Sequence, residues 1–77
     1  MTTYNGHKNW NHWNVSLWIY NDETLYNCAR NYVRSRTRTR DQAARDMLAD
    51  LHRHGITHTP DGAPYSRSAI RAAMREM

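Results

Sequence analysis

Phenylalanine is absent from the 77 residues, while cysteine occurs once, proline twice and glycine three times. A single Cys28 excludes an intramolecular disulfide and a thiolate-rich zinc site, and points to a reducing, cytoplasmic setting. Long apolar runs are also missing. The longest covers residues 17–20, against the roughly 17–25 residues that a membrane-spanning helix needs. No basic-then-apolar leader opens the chain, so neither a secretory signal nor a membrane partner is expected. The length allows one small domain, residues 1–77, and excludes a dinucleotide-binding fold or a barrel.

What is present is distributed unevenly. All the asparagines lie between Asn5 and Asn31, and every aromatic except Tyr65 lies between Tyr4 and Tyr32. Every arginine lies at Arg30 or later. The first part therefore supplies apolar surface and the second the positive field behind the net charge of +4. With no Phe, Trp10, Trp13 and Trp18 are expected to fill much of the core, each burying on the order of 200 Å².

Four helices can be read from periodicity and capping residues. Residues 1–8 read as an entry loop or tail. Asn9 is placed to cap a helix over 10–20, with Trp10, Trp13, Leu17 and Tyr20 on one stripe. Val15, Trp18 and Ile19 widen that stripe, which predicts the central helix of the domain. Asn21 or Asp22 can cap a second helix carrying Leu25, Tyr26, Cys28, Ala29, Tyr32 and Val33. That helix is expected to fray into an Arg-rich linker at 34–39. Thr39 and Gln42 fit a capping box for a third helix to about His54, with Ala43, Ala44, Met47, Leu48 and Leu51 buried. Gly55 then suits a left-handed C′ position. Asp61-Gly62 predicts a tight turn or a two-residue hairpin. Ser66 would cap a last helix running to the end, with Ala69, Ile70, Ala73, Met74 and Met77 inward. The fold class is therefore all-α: a bundle of about four short helices, with a turn or small hairpin before the last.

Chemistry is sparse. His52, His54 and His58 form the only dense histidine cluster, but Gly55 interrupts it and no Cys or acid closes a tetrahedral set. No metal and no cofactor is expected. Cys28 falls on an apolar helix stripe, and no nucleophile signature surrounds it or Ser66, so no enzymatic activity is expected. The basic residues are more informative. Arg34, Arg36, Arg38 and Arg40 alternate with Ser35, Thr37 and Thr39. Guanidinium groups grip carboxylates and phosphates, and hydroxyls donate to phosphate oxygens, so this run is a candidate partner-binding segment. On the last helix Arg67, Arg71 and Arg75 recur at i, i+4 and i+8, which puts them on one side. With Ser68 they form a candidate nucleic-acid-binding set.

Two resemblances bear on function. The block from Asn5 to Ile19 resembles small uncharacterised proteins of phages and other mobile elements that open with Asn-Gly-x-x-Asn-x-x-x-Trp-x-Val-x-Leu-Trp-Ile. Asn5, Gly6, Asn9, Trp13, Val15, Leu17, Trp18 and Ile19 carry it here, with His12 where Thr is commoner. Residues 43–77 resemble a helix-turn-helix segment of serine-recombinase-associated domains. Gly55-Ile56, the turn at 59–62, Tyr65, Ser66 and Ile70-Arg71 carry that likeness.

The first resemblance implies a non-enzymatic binder acting in the host cytoplasm. Its expected role is inhibition of a host-defence complex in the manner of anti-CRISPR proteins. The partner would be a host protein or nucleoprotein complex such as a CRISPR effector. The second implies a small basic DNA-binding protein, a repressor or recombination accessory, with duplex DNA as partner. A toxin- or antitoxin-like interaction module is a third reading. Monomer and homodimer both fit, although paired half-sites would favour the dimer.

Overall fold

The computed structural model describes residues 9–35, 37–75 and 77. Four helices follow in order: α1 (Trp10–Asn21), α2 (Glu23–Val33), α3 (Arg40–Arg53) and α4 (Arg67–Met74). No strand occurs among the described residues. The entry segment 1–8, with the motif residues Asn5 and Gly6, lies outside them, as does Arg36 of the linker.

Each helix starts on a side chain that satisfies a backbone donor the helix cannot pair. Asn9 accepts from the His12 N–H at 3.0 Å. Asp22 accepts from the Leu25 N–H at 3.0 Å, which selects Asp22 over Asn21 as the cap of α2. Thr39 and Gln42 form both halves of the capping box, at 3.1 and 3.0 Å. Ser66 accepts from the Ala69 N–H at 3.2 Å. The C-terminus of α3 closes as a Schellman motif: Ile56 N–H donates to the Leu51 carbonyl and Gly55 N–H to that of His52. Gly55 takes φ +76° there, a conformation that a β-carbon opposes. The last helix stops at Met74, short of the chain end.

The packing departs from the expectation for the aromatic residues. The core consists of Val15 and Ile19 from α1, Ala29 from α2, and Ala43, Ala44, Met47 and Leu51 from α3. Ala63 and Tyr65 join it from the loop, and Ala69, Ile70, Ala73 and Met74 from α4. No tryptophan belongs to it: Trp13 and Trp18 are half-buried and Trp10 is 38% exposed. The reason is steric. Six core positions are alanine, so helices approach too closely to admit an indole between them. The tryptophans lie outside that interior. The central element is also different. Helix α4 packs against α1 and α3 at once and touches α2, whereas α1 has no close backbone approach to α3.

Helix α1 turns Asn14, Val15, Ser16 and Ile19 inward. Asn14 is 1% exposed, and its surroundings explain why a polar group is there. Its Nδ2 donates to Asp61 Oδ2 at 2.9 Å, while its Oδ1 accepts from the Thr59 hydroxyl at 2.6 Å. That hydroxyl in turn accepts from the Ala63 N–H at 3.0 Å. Trp18 Nε1 donates to the same Asp61 oxygen at 2.9 Å. The turn held this way has three residues between Thr59 and Ala63, not two. Thr59 N–H donates to the Ala63 carbonyl at 2.8 Å, and Gly62, at φ +95°, donates to the Thr59 carbonyl. An antiparallel bridge between His58 and Pro64 completes a minimal hairpin. Three-residue loops with a left-handed final glycine suit the twist of such a pair.

Two predictions follow from this network. Asn14→Ala strands the Thr59 hydroxyl and one Asp61 bond, and should cost about 1–3 kcal/mol in urea denaturation. Thr59→Val should cost a similar amount, and the double variant less than the sum, because the two share one network. Independent, additive losses would contradict the coupling. The Asn14 and Trp18 donors also hold the Asp61 carboxyl below its ordinary range. Its stabilising contribution is therefore full above the unfolded value of about 4 and is lost as pH falls through the lower folded value. Thermal melts between pH 5 and 2 should show a steeper acid loss in the wild type than in Asp61→Asn. Identical acid profiles would contradict the role given to this carboxylate.

Candidate functional site

The network above positions α4, because the pinned hairpin delivers the chain to Ser66. One face of α4 is sealed into the core by Ala69, Ile70, Ala73 and Met74. The opposite side carries Arg67, Ser68, Arg71 and Arg75, as the i, i+4, i+8 spacing predicts. These four residues line one open cleft of about 600 Å³. Arg40 and Asp41, from the first turn of α3, form part of its wall, and His12 of α1 closes it from the other side. Among the described residues of the lining, four arginines thus face one aspartate.

The contacts within the cleft are loose. Asp41 Oδ1 lies 3.6 Å from Arg67 Nε and 3.7 Å from Arg71 Nη1, and all three side chains are about half-exposed. Charge-assisted hydrogen bonds usually measure about 2.7–2.9 Å, so these pairs leave guanidinium donors with spare capacity. Ser68 Oγ lies 3.3 Å from His12 Nε2 and 3.4 Å from Ser66 Oγ. Along α4, successive arginines are about 6 Å apart in helix rise. The result is a shallow, positively charged trough about 12 Å long, the distance that eight residues of helix rise cover.

The Arg-rich linker does not present a matching row. Arg34 is exposed at the C-cap of α2. Arg36 lies outside the described residues. Arg38 turns back onto the protein: its Nε donates to Asp46 Oδ2 at 2.8 Å, and its guanidinium lies over the Tyr32 ring at 5.3 Å. Arg40 donates from Nε to the Met74 carbonyl at 2.9 Å and from Nη2 to that of Met77 at 3.0 Å. It therefore serves the last carbonyl of α4, which also accepts from the Met77 N–H at 3.1 Å, while lining the cleft. Alternation along an extended linker hides such tertiary uses. His12 and Asp41 were not singled out for this site by sequence. Asp41 sits in the first turn of α3, where an acid suits the helix dipole, but its proximity to Arg67 spans 26 positions and has no local signature.

Other candidate chemistry is accounted for locally. Burial and the nearby Asp50 carboxylate both raise the Cys28 thiol, which disfavours the thiolate that a nucleophile requires. His54 Nδ1 donates to the Asp50 carbonyl at 2.9 Å at the end of α3, and His58 Nδ1 lies 2.9 Å from the Thr57 hydroxyl. Among the described residues no three His, Cys, Asp or Glu side chains converge as metal ligands. No helix among them is long and apolar enough to cross a membrane. A more apolar groove of about 430 Å³ is lined by Trp18, Leu25, Ile56, Pro60 and Tyr65.

The motif residues of the N-terminal block have structural roles where they are described. Asn9 caps α1, Val15 and Ile19 enter the core, and Trp18 fastens Asp61. The connection between α3 and α4 covers residues 54–66. That is longer than the turn of about three or four residues that joins the helices of a helix-turn-helix.

Comparison with curated proteins and with solved structures finds no match to this chain. A family match does cover residues 1–77 in full, and by it the chain belongs to DUF7249, a family of unknown function.

Proposed function

We propose that this protein is a non-enzymatic binding module whose α4 face docks on the phosphate backbone of duplex DNA. The observation that carries the reading is the convergence of Arg67, Arg71, Arg75 and Arg40 on one cleft, with Ser68 between them. Guanidinium forks and a hydroxyl donor are the groups that engage phosphate oxygens. The long connection to α3 favours phosphate docking over insertion of α4 as a base-reading helix. A repressor or a recombination accessory is the biological role in keeping with this surface.

The inhibitor reading draws its support from the resemblance of residues 5–19 to proteins of phages and mobile elements. In that role the same module would act in the host cytoplasm by covering a nucleic-acid-binding or protein surface of a defence complex. The exposed Arg34 supports docking on carboxylates from the linker. Arg38 and Arg40 support it less, since both guanidiniums already have intramolecular partners. Both readings treat the protein as a binder with no cofactor.

The measurement that tests the DNA reading is fluorescence anisotropy with a random duplex at two salt concentrations. Three phosphate contacts give a log–log slope near −2.7, so raising salt from about 50 to about 200 mM should weaken binding about fortyfold. Arg67→Ala with Arg71→Ala should lower affinity and reduce the slope by about two, with helical circular dichroism unchanged. Arg34→Ala should have a smaller effect. No binding at low salt, or equal losses from Arg34→Ala and the α4 pair, would overturn the assignment of this face.

A further inference from the structure

We infer that Asp41 is an internal competitor for the anion. Its carboxylate holds the position between Arg67 and Arg71 that a backbone phosphate takes, and so sets how tightly duplex DNA docks. This inference rests on the reading of α4 given above.

The geometry supports it in three ways. First, Asp41 Oδ1 is shared between two guanidiniums on successive turns of α4, at 3.6 and 3.7 Å. A phosphate placed there would likewise face both. Second, the carboxylate is not required to finish its own helix. Thr39 and Gln42 already satisfy the donors of the capping box, and the Asp41 side chain is committed outward to α4. Third, the pairs are half-exposed and longer than hydrogen-bonded ion pairs, so an incoming anion can replace them at small cost. A phosphate brings several acceptor oxygens where Asp41 presents one to both arginines. Asp41 also places a negative charge inside the trough and repels the phosphate it must yield to.

The lining narrows the occupant. Among the described residues no tryptophan or tyrosine lines the cleft, and the His12 ring there already meets Ser68 at 3.3 Å, so the large aromatic platform on which single-stranded bases stack is missing from this lining. The cleft is suited to the outside of a duplex, where phosphates are reached and bases are not.

The test uses the full chain, a random duplex and charge-matched variants. Asp41→Asn removes the competitor. Asp50→Asn removes the same charge from the other end of α3, away from the cleft. Two exposed ion pairs released together correspond to about twofold to thirtyfold in affinity. Asp41→Asn should therefore bind more tightly by a factor in that range, and Asp50→Asn should stay within about twofold of wild type. If Asp41→Asn perturbs the first turn of α3, Asp41→Ser restores a residue suited to a helix start, and the same gain is expected from it. Wild-type binding with no gain from either Asp41 variant overturns the competitor role and leaves the DNA reading standing. So does an equal gain from Asp50→Asn, which would reduce the effect to net charge. Absence of binding by the wild type and by both Asp41 variants overturns the DNA reading and this inference together.

Discussion

A buried asparagine organises this small domain. Asn14 is the one side chain that both donates to Asp61 and accepts from Thr59, and through them it fastens a hairpin to the middle of α1. Unpaired, the buried Asn14 amide and Thr59 hydroxyl would carry the penalty of a polar atom withdrawn from water, while Asp61 meets them from the surface. Paired, they determine where residues 57–65 run, and therefore where Ser66 begins α4. Trp18 donates its indole N–H to the same carboxylate, which ties an aromatic that the core could not admit to the element the core depends on. Tyr65 follows the hairpin into the interior, where burial pushes its phenol above the ordinary range.

From that anchor the rest can be traced. Helix α4 is held between α1 and α3, its Ala and Ile face sealed against both. Tyr20 donates to the Ala73 carbonyl at 2.9 Å, and Arg40 closes the last carbonyls of the helix. With one side of α4 fixed, the other side has to be displayed. The arginines spaced by four residues then share a face with the first turn of α3. Positive charge gathered this way is a consequence of how α4 is buried, with Arg40 added from the end of the Arg run.

The sequence disclosed the local structure better than the tertiary structure. Asn9, Asp22, Thr39 with Gln42, Gly55 and Ser66 are short-range signals, each acting within a few residues; the four helices start where they indicate, and α3 stops where Gly55 does. The spacing of Arg67, Arg71 and Arg75 was equally legible, since one helix settles which residues share a side. Trp10, Trp13 and Trp18 misled because hydrophobicity ranks side chains by transfer energy and ignores the close approach that an alanine-rich interface imposes. Asn14 was hidden for the converse reason: its partners are 45 and 47 positions away, and no periodicity announces a buried polar group. Arg38 and Arg40 read as free cations in an alternating run. Each has a partner only because Asp46 and the end of α4 are brought beside the linker by folding.

The most direct measurement maps the contact surface proposed for α4. A short duplex titrated into isotopically labelled protein at low salt can be followed by NMR through arginine Nε–Hε and backbone amide signals. Arg67, Ser68, Arg71 and Arg75 should shift first and together, while the signals of Asn14, Thr59 and Ala63 stay in place because the anchor does not move. Shifts concentrated at Arg34 and Arg38, or around Trp18 and Ile56 on the apolar groove, would contradict the α4 assignment.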